Sequence, residues 1–129
     1  MRTIKFRGKR IENEEWVFGN LIYRGEDLDP LINTNPYDLN PHDVKVHSET
    51  VGQFTGLHDN NGKEIYEGDI VLMENVLGYG ACKGVVKWDD NGYWYTDYEG
   101  DYDHRITGAH GFIIGNIHDD QDMMKGGIK

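Results

Sequence analysis

The residues that come closest to a known chemical motif are the His-Asp-Asn-Asn-Gly run at positions 58–62. Carboxylate and amide oxygens are the ligands that calcium prefers, and an EF-hand loop needs them at its first, third and fifth positions, with a glycine sixth and a glutamate twelfth. If Gly62 is the sixth residue, Leu57 is the first and Gly68 is the twelfth. The run therefore fails as a calcium loop, and we interpret segment 52–71 as a corner that leads into a strand.

A second candidate is the glycine-rich segment 78–84, GYGACKG, which approaches a phosphate-binding fingerprint. Its third glycine is displaced by one position, and no helical pattern follows that could receive a pyrophosphate. Cys82, the only cysteine, lies in this segment beside Lys83. A nucleophilic thiol needs a positioned base, and the sequence identifies none for Cys82.

The remaining candidates for chemistry are a single serine and six histidines. Ser48 lacks the Gly-x-Ser-x-Gly context of a hydrolase nucleophile. No two histidines stand at the helical spacing that is typical of metal ligands, and one cysteine cannot build a tetrahedral thiolate site. We therefore expect no catalytic residue, no metal and no cofactor, so that an enzyme of unrecognised type is only the minor alternative. The histidines are His42, His47, His58, His104, His110 and His118.

The charges are numerous and segregated. The chain has 23 acidic and 13 basic residues, which gives a formal net charge of −10. Residues 1–10 carry five Arg or Lys and no acid, whereas residues 89–103 carry six Asp or Glu and no base. Because phosphate binding normally needs a basic patch, this balance disfavours direct nucleic-acid binding. The simplest interpretation of the acidic run is solubility.

The elements that must position these residues are β-strands, because apolar residues alternate with a period of two and helical periodicity is nearly absent. The first two predicted strands should pair as a hairpin, with the second bent at Gly19. All three prolines fall in residues 25–43, which we expect to be an irregular connection. The predicted strands are Thr3–Arg7, Glu15–Tyr23, Lys45–His47, Val51–Thr55, Asp69–Glu74, Gly84–Asp89, Tyr93–Tyr98 and Gly111–Ile117.

Location can also be predicted from composition. No apolar run approaches the roughly 20 residues that a membrane-spanning helix needs, so we expect no membrane contact. The first residues lack the apolar core of a secretory signal. A single cysteine agrees with a reducing compartment. These features favour the cytoplasm.

Three segments carry a resemblance to a known family: IKFRGKRIENEEWVFGNLIYRG at 4–25, ETVGQFTGLHDNNGKEIYEGDIV at 49–71 and IIGNIHDD at 113–120. In this order and at this spacing they resemble the YopX protein family of bacteriophages and prophages. The resemblance implies an all-β protein whose C-terminal half is a small barrel of the Src-homology-three (SH3) type. The family has no assigned biochemical function, so the resemblance supplies no catalytic residues.

The resemblance and the strand pattern together predict three segments. Residues 1–55 form an N-terminal β subdomain that contains a hairpin and the irregular connection, residues 56–118 form the SH3-like barrel, and residues 119–129 form a tail. Alternation along the barrel strands predicts that Val86 and Trp88 point into its core, while Val85 and Lys87 point away. Phe112 and Ile114 are the other predicted core residues.

The sharpest functional feature is an aromatic and acidic stretch from Tyr93 to Tyr102. Strand geometry would place rings on both of its faces, and a small barrel can bury only one face. The other rings pack under residues 25–43 or form an interaction surface, since Tyr and Trp are enriched at interfaces. The candidate surface consists of Tyr93, Tyr95, Asp97, Tyr98, Glu99 and Tyr102.

These observations predict a phage or prophage accessory protein that is a non-enzymatic protein-interaction module. We expect it to form homo-oligomers through apolar and aromatic surface, with a host or phage protein as a further partner. An alternative function uses the acidic run of residues 89–103, which could imitate the phosphates of DNA and occupy the basic groove of a host nucleic-acid-binding protein.

Overall fold

The computed structural model describes residues 4–34, 43–73, 82–88, 94–98, 103–105 and 111–120. Within these ranges the chain is all β, as predicted, apart from one short 3-10 helix at Ser48–Thr50. The same ranges contain no helix long and apolar enough to cross a membrane. The strands are β1 Phe6–Lys9, β2 Trp16–Ile22, β3 Leu31–Asn33, β4 Asp43–Lys45, β5 Gly52–His58, β6 Glu64–Tyr66, β7 Asp69–Met73, β8 Cys82–Trp88, β9 Trp94–Tyr98, β10 Asp103–Arg105 and β11 Phe112–Asn116.

The strands belong to two compact units, Met1–Phe54 and Thr55–Lys129, so that the division falls within β5. In the first unit the strand order is β4-β3-β2-β1-β5. In the second unit the end of β5 neighbours β6, and a separate five-stranded sheet has the order β10-β9-β8-β7-β11. Most of the predicted tail, residues 121–129, lies outside the described residues.

The first unit begins with the predicted hairpin. β1 and β2 pair antiparallel, with Lys9 opposite Trp16 and Phe6 opposite Gly19. A side chain at Gly19 would overlap the carbonyl oxygen of Asn33 on β3, which is why a glycine stands there. Backbone hydrogen bonds from Ile11 N to Lys45 O at 3.1 Å and from His47 N to Lys9 O at 2.9 Å also join the end of β1 and the residues after it to the end of β4 and the residues after it.

The prediction of an irregular connection at residues 25–43 is wrong in part. β3 pairs antiparallel with both β2 and β4, and Ile32 at its centre is completely buried. β3 and β4 have only three residues each, too few to show period-two alternation in the sequence. Pro30 lies just before β3, and its carbonyl oxygen accepts a hydrogen bond from the N–H of Val46. Pro36 and Pro41 lie outside the described residues.

The second unit has a core of four buried residues with partly buried Leu57 and Ile113 against it. In its described strands β10 and β11 are the free edges of the five-stranded sheet, so this sheet does not close. The all-β class and the antiparallel sheets are therefore established, and the SH3 type of the unit stays a hypothesis. The four core residues are Ile65, Val71, Val86 and Trp94.

The predicted core is right at Val86 and wrong at Trp88. Val86 has no exposed surface, whereas Trp88 is 44% exposed. Trp88 is the last residue of β8, beyond the part of that strand that pairs with β7, where the register ends at Val85 opposite Ile70. The tryptophan in the core is Trp94. Val85, which was predicted to point away from the core, is also buried, so both sides of β8 are covered. Phe112 and Ile114 are half-buried.

Candidate functional site

The predicted interaction surface is centred on β9, an interior strand of the five-stranded sheet. Its backbone pairs Tyr95 with Lys87, Asp97 with Val85 and Tyr98 with Gly84 of β8. On the other side, Asp97 is paired with Asp103 of β10. Tyr93, Glu99 and Tyr102 lie outside the described residues. The structure thus gives the backbone register of half of the predicted set, and the set as a surface stays a prediction.

Two tryptophans, at the end of the β8–β9 pair where β8 finishes and β9 begins, form a well-defined surface feature of the second unit. Trp88 and Trp94 are directly opposite each other in the register. Their ring centroids are 4.6 Å apart with an interplanar angle of 66°, an edge-to-face arrangement. Trp94 is only 7% exposed and belongs to the core, so it holds the exposed ring of Trp88 in place. Sequence reasoning missed this feature because it assigned Trp88 to the interior.

The first unit also carries exposed apolar side chains that the sequence analysis did not identify. Phe18 and Ile22 lie on one side of β2, and Tyr23 and Leu28 lie on the segment that follows it. Tyr23 is the most exposed of them, at 67%. Apolar residues occupy both alternating sets of positions in β2, WVFGNLI, so alternation alone could not tell its inner side from its outer side.

Three basic residues of the N-terminal segment are stacked on aromatic rings. The Arg7 guanidinium carbon is 4.6 Å from the ring centroid of Trp16, and Lys9 Nζ is 5.8 Å from the same centroid. Lys5 Nζ is 5.6 Å from the centroid of Phe54. These are distances typical of cation–π contacts, so the basic run helps to hold the first unit together.

The His-Asp-Asn-Asn-Gly run forms the predicted corner, and Asp59 is its centre. The Oδ1 atom of Asp59 accepts hydrogen bonds from the backbone N–H groups of Asn61 and Lys63, both at 2.9 Å. Its Oδ2 atom accepts the N–H of Ile113 on β11 at 3.0 Å. Burial of Asp59 opposes its ionisation, but these backbone hydrogen bonds and the charge of Lys63 outweigh burial and lower its pKa. The three backbone hydrogen bonds give this carboxylate a structural role.

The histidines of the described segments do not assemble a metal centre. Across these segments no group of three or more His, Cys, Asp or Glu side chains is arranged to hold a metal ion. His47 instead lies between two carboxylates, with its Nε2 atom 2.8 Å from Glu14 Oε1 and its Nδ1 atom 3.8 Å from Glu49 Oε1. This arrangement was not visible in the sequence, because 33 residues separate His47 from Glu14.

The fold and these surfaces define the class of the protein: an all-β protein of two units, with antiparallel sheets and exposed aromatic side chains. A family model described as YopX protein matches residues 5–125. The chain belongs to the YopX family.

Comparison with solved structures supports the all-β fold described above. The crystal structure of protein EF1440 from Enterococcus faecalis is similar to this chain with a TM-score of 0.56 at 20% sequence identity. The similarity covers 96% of this chain and 99% of that chain. At this identity the likeness concerns the fold alone. No curated protein matches the sequence.

Proposed function

We propose that this YopX protein is a non-enzymatic protein-interaction module of a phage or prophage, which acts in the host cytoplasm and self-associates. The second unit, in this proposal, is a variant of the SH3-type arrangement, a scaffold whose surface can serve binding. The partner is a second copy of the chain, and a host or phage protein is the further partner.

The observation that carries the proposal is the exposed and supported ring of Trp88. Tryptophan is among the residues most enriched in interface hot spots, because one side chain buries a large area. A ring already held by Trp94 at 4.6 Å loses little conformational freedom when a partner covers it. The tyrosine-containing strand β9 begins at the same end of the sheet, where the backbone of Tyr95 pairs with that of Lys87 next to the Trp88–Trp94 pair, and this supports an interface there.

The kind of interface follows from the charges. Every copy carries a formal net charge of −10, so charge opposes self-association and apolar contact must drive it. Exposed charges are largely screened beyond about 8 Å at about 0.15 M salt, whereas apolar contact is not weakened by salt. Association should therefore persist or strengthen as the salt concentration rises.

The test is light scattering coupled to size exclusion, at micromolar protein and at low and high salt. We expect the mass of a dimer or larger assembly for the natural sequence at both salt concentrations, and a monomer for Trp88→Lys. Tyr23→Lys, which alters an exposed ring of the first unit, is the matched control and should leave the mass unchanged. Circular dichroism would establish that both variants are folded.

A monomer mass for the natural sequence at both salt concentrations would refute self-association. Dissociation on adding salt would show that the interface is electrostatic. An assembly that resists Trp88→Lys but not Tyr23→Lys would move the interface to the first unit.

A second candidate function, mimicry of DNA, rests on the register that pairs Asp97 with Asp103 next to the edge of the sheet. Two acidic residues that the backbone register pairs beside an edge of the sheet could meet a basic groove of a host protein. Competition with duplex DNA for a panel of purified host DNA-binding proteins tests it. Inhibition that is lost in Asp97→Asn together with Asp103→Asn would support mimicry, and no inhibition would dismiss it.

A further inference from the structure

The turn between β1 and β2 contains a glutamate in a backbone conformation that normally favours glycine. Glu14 has a φ of 62°, and among the described residues it is the non-glycine residue with a positive φ. Its N–H donates to Arg10 O at 2.8 Å, and Arg10 N–H donates to Glu15 O at 2.8 Å, which fixes the turn. A left-handed conformation costs a residue with a Cβ about 1 kcal/mol relative to glycine. A favourable side-chain contact of Glu14 can offset this cost.

The offsetting contact is made by His47. The Nε2 atom of His47 is 2.8 Å from Glu14 Oε1, a hydrogen-bonding distance. On the opposite side of the ring, Nδ1 is 3.8 Å from Oε1 of Glu49, a residue of the 3-10 helix. The backbone of His47 is held as well, because its carbonyl accepts the N–H and the hydroxyl of Thr50 at 3.0 and 2.6 Å. His47 therefore links the β1–β2 turn to the 3-10 helix.

The protonation state of the His47 imidazole determines how strongly it interacts with the carboxylates of Glu14 and Glu49. A neutral imidazole donates from one nitrogen only, so when Nε2 donates to Glu14, Nδ1 presents a lone pair to the carboxylate of Glu49. An imidazolium donates from both nitrogens and is attracted to both carboxylates. Histidine gains this second proton between about pH 8 and about pH 5.

Other charged residues lie near His47, and they do not remove the attraction of the Glu14 and Glu49 carboxylates for an imidazolium. Arg10, just after β1, is paired with Glu12 at 3.0 Å. Lys9 lies over the ring of Trp16. Lys45 at the end of β4 and Glu15 just before β2 accept backbone hydrogen bonds from the turn that contains Glu14, and Asp43 begins β4.

We propose that His47 is a pH-sensitive clasp, which holds the β1–β2 turn to the 3-10 helix more tightly in acid than above neutral pH. The clasp acts on local opening of the first unit, not on its fold, because the carboxylates of Glu14 and Glu49 are largely exposed. Exposed ion pairs of this kind change an opening equilibrium by a few-fold.

The experiment measures exchange of the Glu14 and Thr50 amide protons with water by NMR in the whole chain, at about pH 5.5 and about pH 8. After correction for intrinsic exchange, we expect protection to fall about two- to five-fold on going to the higher pH. Glu14→Gly should keep the turn, since glycine adopts its φ without strain, and should lose this pH dependence. His47→Gln should lose it as well.

Glu12→Gln is the matched control, because it removes a carboxylate from the same turn without touching His47, and it should keep the pH dependence. Equal pH dependence in Glu14→Gly and the natural sequence would overturn the proposal. Loss of the dependence in Glu12→Gln would also overturn it, since the effect would then come from the net charge of the turn.

Discussion

The carboxylate of Asp59 reaches across 54 residues of sequence to accept the backbone N–H of Ile113 at 3.0 Å. With its other oxygen the same carboxylate closes the turn at Asn61 and Lys63. One side chain thus fixes both a corner of the second unit and the position of β11 beside it. The segment at positions 58–62, whose sequence resembles a ligand-binding loop, therefore has a structural role: it connects a turn to β11.

Replacement of this carboxylate should destabilise the protein strongly. Asp59→Ala leaves three backbone N–H groups without their acceptor, and we expect a loss of about 2 to 4 kcal/mol in the free energy of unfolding. Urea denaturation measures it. Asn60→Ala, at an exposed position of the same turn, should change the free energy by less than about 0.5 kcal/mol. A comparably small effect of Asp59→Ala would mean that water replaces the carboxylate.

The lowered pKa of Asp59 predicts how stability depends on acid. Its folded pKa lies below the ordinary value of 3.8, so its contribution is fully present above that pH and is lost as the pH falls through the folded pKa. Asp59→Asn should therefore flatten the decrease of stability with falling pH in the region below about pH 4. Urea midpoints at a series of acidic pH values check this expectation. An unchanged slope would assign acid unfolding to other carboxylates.

The two tryptophans of the β8–β9 pair should differ in their contribution to stability. Trp94→Ala removes a buried ring and should cost about 3 to 5 kcal/mol. Trp88→Ala should cost about 1 kcal/mol, chiefly the edge-to-face contact, because its ring is 44% exposed. Urea denaturation of both variants in the same buffer compares them directly. Equal losses would place Trp88 in the core after all.

Two glycines with positive φ give a matched test of packing. Gly19→Ala should cost at least about 2 kcal/mol, because the new methyl group overlaps the Asn33 carbonyl and β3 must move. Gly25→Ala has the same kind of backbone strain at φ of 111° but nothing within 4 Å of the new atom. It should cost about 1 kcal/mol. Thermal unfolding of the two variants distinguishes the cost of steric overlap with Asn33 from the cost of backbone strain. Similar losses of stability in both variants would mean that steric overlap contributes nothing.

Sequence patterns predicted the longer strands and missed the short ones for a physical reason. β2, β7, β8, β9 and β11 have five to seven residues, enough for alternation to appear. β3, β6 and β10 have three residues each, and they are strands because neighbouring strands bind them. The first strand, predicted at Thr3–Arg7, is Phe6–Lys9 within the described residues, and Thr3 lies outside them. The alternation of basic and apolar residues also includes Ile4 and Lys5, which precede the strand.

The candidate site was less accessible to sequence reasoning than the fold. Alternation correctly placed Trp88 on the same side of β8 as Val86, but it cannot say where a strand's neighbours end. Only the register, with Trp88 opposite Trp94 at the last pair, shows which ring is covered. The clasp of Glu14 and His47 depends on a backbone angle and on a contact between distant residues, and neither leaves a periodic signal.

The three tryptophans occupy three different surroundings, and this makes the protein its own optical reporter. Trp16 lies beneath the cations of Arg7 and Lys9 in the first unit, Trp94 is enclosed in the second unit, and Trp88 meets solvent. A variant with Trp88→Phe and Trp94→Phe would emit from the first unit alone, and Trp16→Phe would leave emission from the second unit alone. Fluorescence during unfolding would then follow each unit separately, without any attached dye.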